Sequence, residues 1–166
     1  MKKKSIALLA CVVLLLALVI AALWYTRPMT VGDLLGSDVE AVSCTLMRPY
    51  TTTDESGTTY FHNEVTDLDA EVGSEAMTAL LAAMEEIPCR ASLLGLLPHT
   101  VTIYRTGQGN LSISIYGPNP RTDLYLFSHS TILESIGGKR RTYLVDASAY
   151  ETLTAVVEAY GVLQPE

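Results

Sequence analysis

Residues 110–146 read NLSISIYGPNPRTDLYLFSHSTILESIGGKRRTYLVD, and this stretch decides the fold. Within it NLSISIYG, DLYLFS, TILESI and KRRTYLVD alternate apolar and polar side chains, the period of two that a strand with one buried face requires. The breaks GPNPRT and GGK are turn chemistry: glycine supplies positive φ and proline presets it. Connections this short join antiparallel neighbours. Upstream, TVTIYR at 100–105 and the turn TGQGN at 106–110 extend the same pattern.

Working outward, GSEAMTALLAAMEEIP at 73–88 is the clearest helix. Ser74 is its N-cap, Pro88 its stop, and Met77, Leu80, Leu81, Met84 and Ile87 form one apolar stripe. A second helix is expected over 149–160, with Ser148 and Glu151 as a capping box, Gly161 as the stop, and Tyr150, Leu153, Val156, Val157 and Tyr160 on its apolar face. Before the first helix, VEAVSCTLMR and TTYFHNEV flank the turn TTDESG and read as a hairpin. TVGDLLG at 30–36 suggests one helical turn with Thr30 capping and Asp33 three residues on. The fold expected is α+β: a mainly antiparallel sheet with two amphipathic helices on one face.

An apolar run precedes this domain. Ser5–Trp24 holds 20 uncharged residues, which as a helix span about 30 Å, the hydrocarbon thickness of a bilayer. LLAC at 8–11 resembles a lipid-attachment site, but the run from Val12 to Trp24 would remain on the mature chain, and Leu9 is bulky for its position. The run exceeds a typical signal peptide, so an uncleaved signal anchor is the better reading. Lys2–Lys4 place the N-terminus in the cytoplasm. The expected division is a cytoplasmic tail (1–4), a transmembrane anchor (5–24), a juxtamembrane linker with a helical turn (25–37) and an extracytoplasmic domain (38–166), localised to the cell membrane.

Charge narrows the partners. The chain after Arg27 carries 18 acids against 7 bases. A domain of that net charge is repelled by nucleic acid and by anionic lipid headgroups, so neither is expected as an electrostatic partner. His62, His99 and His129 are scattered, and no HExxH, GxSxG or phosphate-binding glycine loop occurs. Ser128, His129 and Ser130 adjoin, yet neighbours on a strand point to opposite faces. NEVTDLDAEVG at 63–73 gathers Glu64, Asp67, Asp69 and Glu71, but Val72 and Thr78 stand where a calcium loop needs Gly and Glu, and a solvated acidic loop fits better. No cofactor or metal is expected. A disulfide between Cys44 and Cys89 would close a loop worth about 4 kcal/mol; the alternative is two small buried apolar residues.

Two candidate binding sets remain. Alternation groups Thr102, Tyr104, Ser112, Ser114, Tyr116, Tyr125 and Phe127 on the sheet face away from the helices, and Tyr with Ser and Thr suits an adaptable surface for protein or carbohydrate. Lys139, Arg140 and Arg141 could grip an acidic partner or blunt an edge strand. The Lys-rich start, single apolar helix, TVGDLLGSDVEAV opening and small α+β domain resemble bacterial membrane-anchored proteins of unknown function. The resemblance implies an architecture and transfers no functional residue. The function expected is a non-enzymatic binding or accessory module at the cell envelope, with Tyr104, Tyr116, Tyr125 and Phe127 meeting a partner. The alternatives are an envelope enzyme joining His62, His129 and Glu64, or a structural subunit of an envelope complex.

Overall fold

The computed structural model describes residues 2–35, 39–93, 109–117, 121–127, 131–137 and 139–165, with backbone alone for residues 2–7 and Phe127. The strand expected over 100–105, with Tyr104, and the candidates His99 and Ser128–Ser130 lie outside the described residues, as do the turns at 118–120 and Gly138.

An apolar helix, α1 (Lys2–Tyr25), leads into a short strand β1 (Met29–Thr30) and a 3-10 turn (Gly32–Leu34). The long hairpin β2 (Ala41–Thr53) and β3 (Thr59–Glu71) follows. Then come α2 (Glu75–Glu86), β4 (Pro88–Ala91), β5 (Asn110–Tyr116), β6 (Thr122–Phe127), β7 (Thr131–Ile136), β8 (Lys139–Val145), α3 (Ser148–Tyr160) and β9 (Val162–Leu163). The strands among the described residues form one sheet in the order β1-β4-β8-β7-β6-β5-β2-β3-β9, and every pairing is antiparallel. α1 contains an apolar stretch, Leu8–Tyr25, of a length and composition that can cross a membrane, and none of it is buried.

Register fixes the two faces. Cys44 stands opposite Ile113, Ile113 opposite Leu124, and Leu124 opposite Glu134. That row belongs to the inner face, where Leu46, Leu111, Ile115, Leu126 and Ile132 are also buried. Met77, Leu80, Met84 and Ile87 of α2 share one core with Ala149, Tyr150, Leu153 and Val157 of α3, so both helices cover this face. Each large side chain so buried contributes about 1.5–3 kcal/mol. The intervening residues Ser43, Thr45, Ser112, Ser114 and Tyr125 line the outer face and stay partly exposed.

Local chemistry explains the helix ends. Ser74 is extended, and its hydroxyl accepts from the Met77 N–H at 3.1 Å. Thr30 and Asp33 bond reciprocally: the Thr30 N–H donates to Asp33 Oδ2 at 2.7 Å, and the Asp33 N–H to Thr30 Oγ1 at 3.3 Å. At the end of α3, a Cβ on Gly161 would come within 2.4 Å of the Val157 carbonyl oxygen, so only glycine lets the chain turn into β9 here.

Three expectations change, and the alternative left open for Cys44 and Cys89 is settled in favour of two buried residues. Residues 63–71 of this segment form no acidic loop but the second half of β3, with Val72 and Gly73 in the turn that follows. Leu68 and Ala70 point inward, while Asp67 accepts from the Thr45 hydroxyl at 2.8 Å. Pro88 does more than end α2: it starts β4, where a strand's first residue tolerates a missing N–H. Ser148 forms no capping box, because α3 already includes it and the cap is Ala147, which has no side-chain acceptor. Cys44 and Cys89 are free thiols. β5, β6, β7 and β8 stand between their strands, a separation of about 24 Å along the sheet against the roughly 6 Å that a disulfide allows.

Candidate binding surface

β2 and β3 are longer than their neighbours. β5 pairs with β2 only from Ala41 to Met47, and β9 pairs with β3 only at Thr66 and Asp67. Among the described residues the rest of the hairpin, 48–64, projects beyond the sheet as a two-stranded ribbon. Pro49 helps to end the β5 pairing. It keeps register with Asn63, so its missing N–H faces away from β3, on the side where β5 would continue.

The ribbon is braced along its length. At its root Arg48 pairs with Glu158 of α3 at 2.7 Å, both half-exposed. Midway, the rings of Tyr50 and His62 stack at 5.0 Å, and His62 Nε2 lies 2.9 Å from the Thr52 hydroxyl. At the tip, Asp54 accepts from the N–H groups of Ser56 and Thr58 and from the Ser56 and Tyr60 hydroxyls. The Ser56 hydroxyl, the Thr58 amide and the other donors hold the Asp54 carboxyl below its usual range. Gly57, at φ +83°, completes the turn.

The ribbon carries exposed aromatic rings: Phe61 is 79 % exposed and Tyr60 49 %. Phe61 lies on the outer-face side, and Tyr50, His62 and Tyr60 on the helix side. Beside the root, Tyr50, Asn63, Glu64 and Val65 border an open groove of about 400 Å³, closed on its other side by Leu163, Gln164 and Pro165. Past Val65, whose carbonyl accepts from the Gln164 N–H, β9 no longer covers the edge of β3.

The expected sheet-face set divides. Tyr116 and Tyr125 share the outer face with Ser112 and Ser114. Arg121 stacks over the Tyr116 ring at 4.7 Å, donates to Asp123 at 2.9 Å and also donates to the Ser114 hydroxyl. Tyr125 is only partly exposed. Tyr104 and the Phe127 side chain lie outside the described residues. This face is therefore a polar network around Tyr116, while the most exposed aromatic ring among the described residues, Phe61, is on the ribbon. Sequence reasoning recognised the hairpin but not its projection, because projection depends on how far β5 and β9 reach.

Lys139, Arg140 and Arg141 are exposed at the start of β8. β8 is an interior strand, yet β4 reaches only to Tyr143, so among the described residues these three have no strand beside them on that side. Arg141 faces inward beside Glu134 and Tyr143. Glu134 is 3 % exposed and accepts from the Tyr143 hydroxyl at 2.9 Å. Burial pushes the Glu134 carboxyl up, and burial followed by the Glu134 charge pushes Tyr143 to about 12. The Tyr143 hydroxyl, with smaller contributions from Glu134 and Tyr25, holds Arg141 charged. Among the described residues no group of His, Cys, Asp and Glu is arranged to hold a metal ion.

No protein-family model, curated protein or solved structure matches this chain.

Proposed function

We propose that this chain is a single-pass membrane protein of the bacterial envelope. Its N-terminus is cytoplasmic, and its extracytoplasmic domain is a non-enzymatic binding module that captures an extended polypeptide on the projecting β2–β3 ribbon. The observation that carries this reading is the ribbon itself: a braced arm with exposed Phe61 and Tyr60, at the end of the sheet opposite α1. Lys2–Lys4 ahead of the apolar run support the orientation. The edge of β3, uncovered among the described residues, supports strand addition, since it offers backbone N–H and C=O groups beside a groove for alternate side chains. The other edge of the ribbon is blunted by Pro49.

A photoreactive phenylalanine at position 61, introduced in cells, is expected to give a discrete polypeptide adduct. Phe61→Ser should weaken capture of that polypeptide about tenfold, the loss typical of an exposed aromatic anchor. Stability should change by no more than about 0.5 kcal/mol, because the side chain is free in the unbound protein. An adduct from position 125 and none from position 61 would move the site to the sheet face. Adducts from neither would overturn the binding reading.

A further inference from the structure

The domain's acidity is not spread evenly, and register shows where the bases lie. Lys139 stands opposite Ile136, Ile136 opposite Thr122, and Thr122 opposite Ile115, so the start of β8, the end of β7 and the start of β6 with Arg121 share one rim of the sheet. α1 arrives at this same rim. Met29 pairs with Cys89, and Cys89 with Val145, so the chain preceding Met29 runs back alongside β8 toward Lys139. Tyr25 ends beside Arg141. The four residues from Tyr25 to Met29 span at most about 14 Å. Arg27, exposed within that link, sits 5.3 Å over the Trp24 ring.

Arg27, Arg121, Lys139, Arg140 and Arg141 thus gather where the apolar helix meets the domain. Of the acids nearby, Asp123 is paired with Arg121, and Glu134 is buried beneath Arg141. Glu40 and Glu71 share the rim at β2 and β3, about 19 and 24 Å along the sheet from β8 and about 10 and 14 Å from β6, and Glu75 opens α2 just past Glu71, so the basic side of the rim is the half at β8 and α1. Resting on the reading of α1 as a membrane anchor, we propose that this basic rim seats on anionic phospholipid headgroups of the leaflet from which α1 emerges, and so fixes the domain upright with the ribbon pointing away. Net charge argues against such contact only for a domain free to turn. This one is tethered within about a Debye length of the surface by its basic side, while Asp54 and Glu55 lie at the ribbon tip.

Lys139 is the one lysine after Lys4, so its acylation is a direct probe. The full chain is reconstituted in nanodiscs of phosphatidylcholine alone or with about 30 % phosphatidylglycerol, and Lys139 acylation by an amine-reactive ester is followed by mass spectrometry. Phosphatidylglycerol should slow the reaction about fivefold, and about 0.5 M NaCl should restore it. Arg140→Gln should reduce the protection while leaving the fold intact, since Arg140 is exposed on the outer face. Equal rates in the two kinds of disc, with the chain incorporated in both, would overturn the rim contact and leave the anchor standing. A chain released from the discs by carbonate would overturn the anchor and the rim contact with it.

Discussion

Glu134 shows how a single residue can be tuned by its position. Its carboxyl is raised by burial, so the folded state favours the protonated form. That contribution is complete below the ordinary value of 4.5 and is lost as pH rises through the raised value. Glu134→Gln keeps an acceptor for Tyr143 and removes the buried charge. The variant should therefore gain on the native chain as pH rises from about 4 to 7, read as a growing difference between their denaturation midpoints. The two buried cysteines give a second test. Burial, then Asp69, raises the Cys44 thiol to about 12, and burial, then Asp33 and Glu134, raises Cys89 to about 12. At pH 8 both should resist maleimide in the native protein and react once it is unfolded, and reductant should leave migration on a denaturing gel unchanged. The alternation around Cys44 foretold its burial. Its distance from Cys89 was illegible, because that depends on strand order.

At the scale of elements, legibility follows the strength of the local signal. α2 matches its expected limits because Ser74, the apolar stripe and Pro88 all agree. Ser74→Ala should cost about 1 kcal/mol, measured as a lower denaturation midpoint with an unchanged slope. β5 to β8 fall where alternation places them. β4 escaped notice because four residues opening on proline carry too little period. The second half of β3 was hidden by composition: D-L-D-A alternates, but its acids suggested solvent and they occupy the outer face instead. The ribbon was half legible. The turn at Asp54 and Gly57 is written locally, whereas its projection is set by the lengths of other strands.

For the molecule as a whole, the sequence indicated the fold class and left the topology open. Two helices on one face of an antiparallel sheet follow from two amphipathic stripes and a row of alternating strands. Placing β1 and β4 at one edge and β3 and β9 at the other requires the long-range pairings Met29–Cys89 and Thr66–Leu163, which no short stretch encodes. Those pairings also turn a net charge into a polarity, with bases where α1 joins and acids at the ribbon tip.

The edge position of β1 has a mechanical consequence. A pull between α1 and the ribbon runs along the strands and loads the short β1–β4 pairing in shear, at only two residue pairs. Behind it Val31, Leu34 and Leu35 sit in the core, 0 %, 6 % and 5 % exposed, and act as a latch that must withdraw before the tether can lengthen. Leu34→Ala, losing about 2–5 kcal/mol of that latch, should lower the force of the first extension step when the chain is stretched between α1 and position 61. With the latch intact, a tug on the arm moves the domain as one lever instead of paying out slack.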